Sequence, residues 1–225
     1  MPRDRNKWEL ECFLDVVAAV GAPTDDRRLE FPIRPEATER ALQVLRQRGI
    51  AEHQPFIALC PGSSKNWPQK QWAPERFAAV ADWAARERGL PSVLVGAGFE
   101  RELCDHVTGL AQTQPVNLAG DTSVQGTAAV LAAARAMVTN DTGPLHLACA
   151  VGTPVVAVFG PTNERKWGPR GPHDVVITSD ACDCRPCYYL SYMPDCPHRN
   201  CLQQIPVDAV LAALAQILDL PSDAA

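Results

Sequence analysis

The chain has 225 residues, of which 46% are hydrophobic and 21% charged, and its formal net charge at pH 7 is −5. This length and apolar content suffice for one good core, and the negative balance argues against a nucleic-acid binder, which would carry a basic face. No run of about 18 apolar residues predicts a membrane span, and the charged N-terminus is unlike a secretory signal, so we expect a cytosolic protein.

The first fifty residues differ in character from the rest of the chain. Apolar residues at helical spacing predict a helix over about residues 7–20, which ends at Gly21. The alternation of Leu29, Phe31 and Ile33 predicts a short half-buried strand, and a second helix is expected from Pro35. Two helices and one strand do not make a self-sufficient sheet. We therefore expect residues 1–53 to be an arm or linker and residues 54–225 to form a domain.

From residue 55 onward, short apolar runs alternate with helical patterns. The predicted strands are Phe56–Cys60, Ser92–Gly96, Val116–Ala119, Ala136–Thr139, Thr153–Phe159 and Val175–Ile177. Helices are expected at about 74–88, 99–111 and 207–218, near Pro144, and after a capping box at Thr122–Gln125. Strands that are apolar throughout and alternate with helices predict a doubly wound parallel α/β sheet, Rossmann-like, with ligands at the carboxyl ends of its strands.

Two polar turns follow predicted strands. Ser63 and Ser64 lie in a proline-glycine turn whose backbone N–H groups and hydroxyls suit an anion, and Lys65 or Lys70 could add a charge. An ordinary turn with solvated lysines explains the same residues. Glu100, after a glycine-rich strand end, either hydrogen-bonds a ribose or favours a helix N-terminus.

The segment from Asn140 to His146 is the most informative. It follows a buried strand, and Pro144 suits the first turn of a helix whose free N–H groups would bind a pyrophosphate. Asp141 can accept hydrogen bonds from sugar hydroxyls, and Thr142 adds a hydroxyl. A simple helix cap with a packed histidine explains one of these polar residues but not all of them together.

These motifs resemble the heptosyltransferase family, glycosyltransferase family 9. The resemblance rests on Asn140–Ala148, on Gly152–Thr162, and on an earlier segment in which the proline-glycine turn precedes Lys70 and Trp72. It covers about residues 55–215 and implies one half of a GT-B architecture. It further implies binding of ADP-heptose and transfer of heptose to the lipopolysaccharide inner core at the cytoplasmic face of the inner membrane, where the protein could be peripherally attached.

The resemblance also implies roles for individual residues. Asp141 is expected to contact sugar hydroxyls, and Thr142 and Gly143 to hold the diphosphate with His146 close by. The residues expected to face the phosphates or the sugar are Ser63, Ser64 and Lys70, where Lys70 matches the family spacing better than Lys65. Transfer is expected to need no cofactor, because the single carboxylate of Asp141 makes a poor Mg²⁺ site.

The family pattern is incomplete in this chain. The acceptor site and the catalytic base are expected in an N-terminal domain, of which residues 1–53 resemble only the end and the linker. The chain would then be a fragment, a truncated product or one partner of a split enzyme, with a separate N-terminal domain as partner. A non-catalytic nucleotide-sugar-binding module and a glycosyltransferase for another nucleotide sugar are the alternatives.

Five of the nine cysteines lie between Cys182 and Cys201. A cytosolic location disfavours disulfides. A structural Zn²⁺ or iron site would use Cys184, Cys187, Cys196 and Cys201, since the first two have Cys-x-x-Cys spacing. A loop with unliganded thiols is the alternative.

Overall fold

The described structure, a computed structural model, covers residue 4, residues 6–188 and residues 192–221. The predicted regions 1–53 and 54–225 therefore include residues 1–3, 5, 189–191 and 222–225, which lie outside the described residues.

The described residues form a six-stranded, fully parallel sheet in the order β3-β2-β1-β4-β5-β6. The strands are β1 (Ile57–Cys60), β2 (Ser92–Leu94), β3 (Val116–Asn117), β4 (Ala136–Asn140), β5 (Val155–Val158) and β6 (Val175–Ile177). This order confirms the predicted doubly wound sheet. The strand order reverses between β1 and β4, and ligands of such sheets bind beyond the strand ends at that point.

Helices cover both faces of the sheet. They are α1 (Glu9–Ala19), α2 (Pro35–Gln47), α3 (Pro74–Arg88), α4 (Arg101–Leu110), α5 (Val124–Ala132), α6 (Gly143–Ala150), α7 (Glu164–Trp167), α8 (Asn200–Gln203) and α9 (Val207–Leu218). One core contains Phe77, Val107 and Leu214 from α3, α4 and α9. The other contains Leu45, Leu131 and Leu145 from α2, α5 and α6.

Strand β1 explains why the strands read as uninterrupted apolar runs. Ile57 and Leu59 belong to the first core, whereas Ala58 and Cys60 belong to the second. Because successive side chains of a strand point to opposite faces, both faces of β1 require apolar residues.

Part of the N-terminal arm packs on the domain. Ala41, Leu45 and Ile50 are buried in the second core, beside α5. The side-chain amide of Gln125 accepts a hydrogen bond from the Arg34 N–H at 2.9 Å and donates one to the Pro32 carbonyl at 3.0 Å. These contacts tie the segment before α2 to the start of α5, and the domain boundary at residue 54 stays a prediction.

Two local predictions are wrong. Residues 29–33 form no strand. The Phe31 N–H donates to the Ala150 carbonyl at 3.1 Å, at the end of a helix, and none of the described strands lies beside this segment. The N-cap of α5 is Ser123, whose hydroxyl accepts from the Gly126 N–H. Gln125 cannot complete a capping box because its amide is engaged with the arm.

Helix α1 carries an apolar stripe that stays exposed. Phe13, Val16 and Val20 are 61%, 63% and 79% exposed. The start of the helix is held by an ion pair of 2.6 Å between Lys166 and Glu9. Within the described residues, no helix is both long and apolar enough to cross a bilayer.

Candidate functional site

The buried side chain of Asn140, at the end of β4, joins the two loops that flank the reversal of strand order. Its Nδ2 donates to the carbonyl oxygens of Pro61 and Gly62 at 2.8 and 3.1 Å, and its Oδ1 accepts from the Trp72 N–H at 3.0 Å. Asn140 and Trp72 are 0% and 1% exposed. The amide thus satisfies three backbone groups that burial would otherwise leave unpaired, and it fixes the turn after β1 against β4.

The proline-glycine turn after β1 holds the two predicted serines differently. The Ser63 hydroxyl donates to the Trp67 carbonyl at 2.9 Å, and this residue is buried. Ser64 is exposed at the mouth of the site. The Ser63 hydroxyl therefore supports the turn, whereas Ser64 lines the cleft.

Glu100 lies between the turns after β1 and β2. Its carboxylate accepts hydrogen bonds from the backbone N–H of Ala97, at 2.7 Å, and of Ser63. Burial raises the pKa of Glu100, and these two hydrogen bonds oppose the rise. A side chain at Gly62 would overlap the carboxylate and displace it from this position.

Lys70 and Asp141 form an ion pair at the cleft. Lys70 ends a short 3-10 turn, and its Nζ lies 2.7 Å from Asp141 Oδ2. The two side chains are 12% and 9% exposed. A buried pair of this kind holds both groups in one geometry, because separating the charges without another partner is unfavourable.

The N-terminus of α6 completes the site. Thr142 is the N-cap residue, but its hydroxyl makes no capping hydrogen bond, and Gly143 opens the helix ahead of Pro144. Burial lowers the pKa of His146; Asp141 opposes this shift, and Lys70 adds to it. His146 therefore presents a neutral imidazole beside the ion pair at neutral pH.

Two cavities meet at this point. The larger, of about 810 Å³, is mostly apolar and lies beyond the ends of β1, β2 and β4. The smaller, of about 240 Å³, is lined by Lys70 and Asp141 together with two aromatic side chains. Four residues line both cavities: Ser64, Thr142, Gly143 and His146.

All eight predicted binding residues lie at these two cavities. Ser63 and Glu100 line the larger one, Lys70 and Asp141 line the smaller one, and the four shared residues lie at their junction. Lys65 lines neither cavity.

Further lining residues lie outside the predicted set. Phe31 from the arm and Val124 from α5 line the larger cavity, and Trp167 and Tyr188 line the smaller one. Phe31 and Tyr188 lie outside the strand-end motifs, so only tertiary packing brings them to the cleft.

The cysteine-rich loop departs from the predicted ligand set. The Cys182 thiol hydrogen-bonds with those of Cys184 and Cys201, and Cys196 Sγ lies 3.8 Å from His198 Nδ1. Burial, followed by the neighbouring thiols, raises the pKa of Cys201 to about 12. In the described part of the chain, no group of three or more His, Cys, Asp and Glu side chains is placed to hold a metal ion.

The predicted quartet of Cys184, Cys187, Cys196 and Cys201 is thus not assembled as a ligand set. Cys184 is exposed whereas Cys201 is buried, and Cys182, which was not among the four, is the thiol that contacts both.

Comparison with known proteins identifies relatives of this architecture. The family model described as glycosyltransferase family 9 (heptosyltransferase) matches residues 9–192. Lipopolysaccharide heptosyltransferase 2 of Escherichia coli is 32% identical over 121 residues, which cover 52% of this chain and 34% of that protein. The chain therefore spans about a third of the length of this curated relative.

Solved structures extend the comparison to most of the chain. A glycosyltransferase family 9 protein from Veillonella parvula superimposes with a TM-score of 0.81 at 26% identity, covering 97% of this chain and 62% of that one. The Escherichia coli ADP-heptose lipopolysaccharide heptosyltransferase II superimposes with a TM-score of 0.68 at 25% identity, covering 84% of this chain and 53% of that one.

Replacing Asn140 with alanine tests its structural role. We expect Asn140→Ala to lower the free energy of unfolding by at least about 3 kcal/mol, because three buried backbone groups lose their partner. Asn66→Ala, in the exposed part of the same loop, serves as control and should change it by less than about 0.5 kcal/mol. Urea denaturation measures the free energy of unfolding of both variants. An equally small change in the two would contradict the structural role of Asn140.

Proposed function

Because the chain belongs to glycosyltransferase family 9, the heptosyltransferase family, we propose that it is the donor-binding half of an enzyme that transfers heptose from ADP-heptose to the lipopolysaccharide inner core. The observation that carries this proposal is the junction of a large apolar cavity with a small polar one at the strand-order reversal. A nucleotide sugar has the same division: an apolar base, an anionic linker and a hydroxyl-rich glycosyl group.

The nucleoside is assigned to the larger cavity. Phe31, Phe99 and Val124 supply apolar surface for the base, and Glu100 is the carboxylate within reach of a ribose hydroxyl. Glu100 already accepts two backbone hydrogen bonds, so its orientation is fixed before any ligand arrives. ADP is the expected nucleotide because the Escherichia coli protein of this fold is an ADP-heptose enzyme.

The diphosphate is assigned to the junction between the cavities. Gly143 and Thr142 lie at the N-terminus of α6, where the free N–H groups and the helix dipole favour an anion. The Ser64 hydroxyl and the Lys70 ammonium lie on the adjoining loop. A bound diphosphate gives Lys70 a second anionic partner besides Asp141.

The glycosyl group is assigned to the smaller cavity, beside Asp141. Transfer proceeds by inverting displacement at the anomeric carbon: the acceptor oxygen gives its proton to a base and forms the new C–O bond as the C–O bond to ADP breaks. The base belongs to the acceptor half. The residues of this chain stabilise the negative charge that builds up on the departing diphosphate, and Lys70 and the α6 N-terminus supply that stabilisation without a divalent cation.

The acceptor half is assigned to the exposed face of α1. Phe13, Val16, Val17 and Val20 recur at helical spacing on that face, and three of the four are more than 60% exposed. An apolar stripe of this kind usually marks an interaction surface. Residues 1–53 would thus be the end of an acceptor-binding domain and its linker, and the assembled enzyme would lie in the cytoplasm, at the inner face of the membrane that holds its acceptor.

Calorimetric titration with ADP-heptose, ADP and a UDP-sugar tests the donor assignment. We expect ADP-heptose to bind in preference to the UDP-sugar, and Asp141→Ala to weaken its binding about tenfold or more, because a charge-assisted hydrogen bond is lost. Asp208→Ala, an exposed carboxylate on α9, is the matched control and should leave the affinity unchanged.

Preferential binding of the UDP-sugar would indicate an enzyme for another nucleotide sugar. Equal affinities of the Asp141→Ala and Asp208→Ala variants for ADP-heptose would show that the glycosyl group does not bind at Asp141. Binding of ADP-heptose without transfer, even when an acceptor half is supplied, would favour a non-catalytic binding module.

Mixing the chain with the N-terminal half of a family 9 relative tests the docking face. Analytical ultracentrifugation is expected to detect a one-to-one complex with the native chain and none with Val16→Asp, because the change buries an unpaired carboxylate. Leu110→Asp, at an exposed apolar position at the end of α4 that lines neither cavity, is the control and should leave the complex intact. A complex that survives Val16→Asp would exclude the α1 face.

A structural zinc or iron ion at the cysteine-rich loop is a separate proposal. It is supported by the Cys-x-x-Cys spacing, and it requires the thiols to rearrange around the ion, because the described residues form no ligand set. Metal analysis of chain purified without chelators is expected to give about one ion per chain, and loss of the ion in Cys187→Ser. A metal-free chain with unchanged thermal stability after chelator treatment would refute it.

A further inference from the structure

The small cavity beside the Lys70–Asp141 pair has the size of a single sugar ring. Its volume of about 240 Å³ lies below the range of about 300–1,000 Å³ usual for drug-sized ligands. Polar residues form part of its wall, and the aromatic side chains of Trp167 and Tyr188 form another part. Phosphate binding requires cations and N–H groups, so it gives no role to either aromatic side chain.

Tyr188 reaches this cavity because its loop is tied to the segment after β5. The backbone N–H groups of Cys187 and Tyr188 both donate to the Pro161 carbonyl, at 2.9 and 3.0 Å. Arg185 Nε donates to the Gly160 carbonyl at 3.2 Å, and its guanidinium pairs with Glu164 at 2.8 Å. These bonds fix the cysteine-rich loop at the residue that enters the cavity.

The Tyr188 ring is also held from the other side of the cleft. Trp67 packs edge-on against it, with 5.7 Å between ring centroids and 76° between ring planes. Lys70 Nζ lies 6.0 Å from the Tyr188 ring centroid, at the outer limit of a cation–π contact. The ring therefore contacts the same loop that carries the Lys70 charge, and its position is fixed relative to the Lys70–Asp141 pair.

A sugar ring offers two kinds of surface to such a cavity. Its hydroxyls match the carboxylate of Asp141 and the ammonium of Lys70, whereas its C–H groups carry slight positive charge and match the electron-rich face of an aromatic ring. When the nucleoside occupies the larger cavity, free ADP has no group left that contacts the aromatic surface of the smaller one. The aromatic residues of this cavity thus distinguish the nucleotide sugar from its nucleotide product.

We propose that Tyr188, with Trp167, forms an aromatic wall that contacts the glycosyl group of the donor and makes the site prefer the nucleotide sugar over the free nucleotide. This inference rests on the proposed donor-binding function and adds two residues that determine specificity. It also gives the cysteine-rich loop a role in the site, since the loop holds Tyr188 in place.

Titration calorimetry of ADP and ADP-heptose against three variants tests the wall. Tyr188→Ala is expected to weaken ADP-heptose binding about tenfold while ADP affinity stays within about twofold. Tyr188→Phe keeps the ring and should retain the preference. Tyr192→Ala, a tyrosine of the same loop that is 66% exposed, is the matched control and should bind both ligands as the native chain does.

Trp167→Leu provides an independent variant, for which the same selective loss of ADP-heptose affinity is expected. A loss shared equally by ADP and ADP-heptose, or no loss in both Tyr188→Ala and Trp167→Leu, would overturn the aromatic wall and leave the donor-binding function intact. A native chain that binds neither ligand would overturn the donor-binding function itself, and the wall with it.

Discussion

The candidate site depends on one buried side-chain amide. Asn140 ends the central strand β4 and satisfies two carbonyl groups of the turn after β1 and the N–H of Trp72. Through Trp72, which follows the turn that carries Lys70, the same amide fixes the distance between Lys70 and the segment Asp141–Gly143. A site assembled from two loops needs such a link, because each loop alone would be free to move relative to the other.

The charged groups around Asn140 suit a ligand in which an anionic part is joined to neutral parts. The positive elements, Lys70 and the N-terminus of α6, meet at the junction of the two cavities, and the carboxylates of Glu100 and Asp141 lie in separate cavities on either side. Both carboxylates are largely buried and already engaged, Glu100 with backbone N–H groups and Asp141 with Lys70. The overall charge of −5 is therefore no guide to the character of the cleft.

The parts of the fold and site that the sequence predicts are those governed by short-range rules. β1 and β5 are apolar throughout because both faces of each strand are buried. The segment Asp141–His146 could be predicted to lie at the ligand-binding edge because polar residues that follow a buried parallel strand lie there. The predictions that are wrong concern residues whose structure is decided by long-range contacts. Gln125 satisfies the local capping pattern but bonds to Arg34 instead, and none of the described strands lies beside the alternation around Phe31. Tyr188 reaches the site only through the packing of its loop.

Chemical-shift mapping of the ¹⁵N-labelled chain during titration with ADP tests most directly whether the cleft at the strand-order reversal is the nucleotide site. We expect the largest amide shifts at Ser64, at Gly96–Glu100 and at Gly143 and His146. The rival location is the groove of about 770 Å³ between α2 and α5, which is lined by Arg34, Arg40 and Asp121. Shifts concentrated along that groove, with the amide signals of Ser64 and Gly143 unchanged, would show that the nucleotide does not bind at the strand-order reversal.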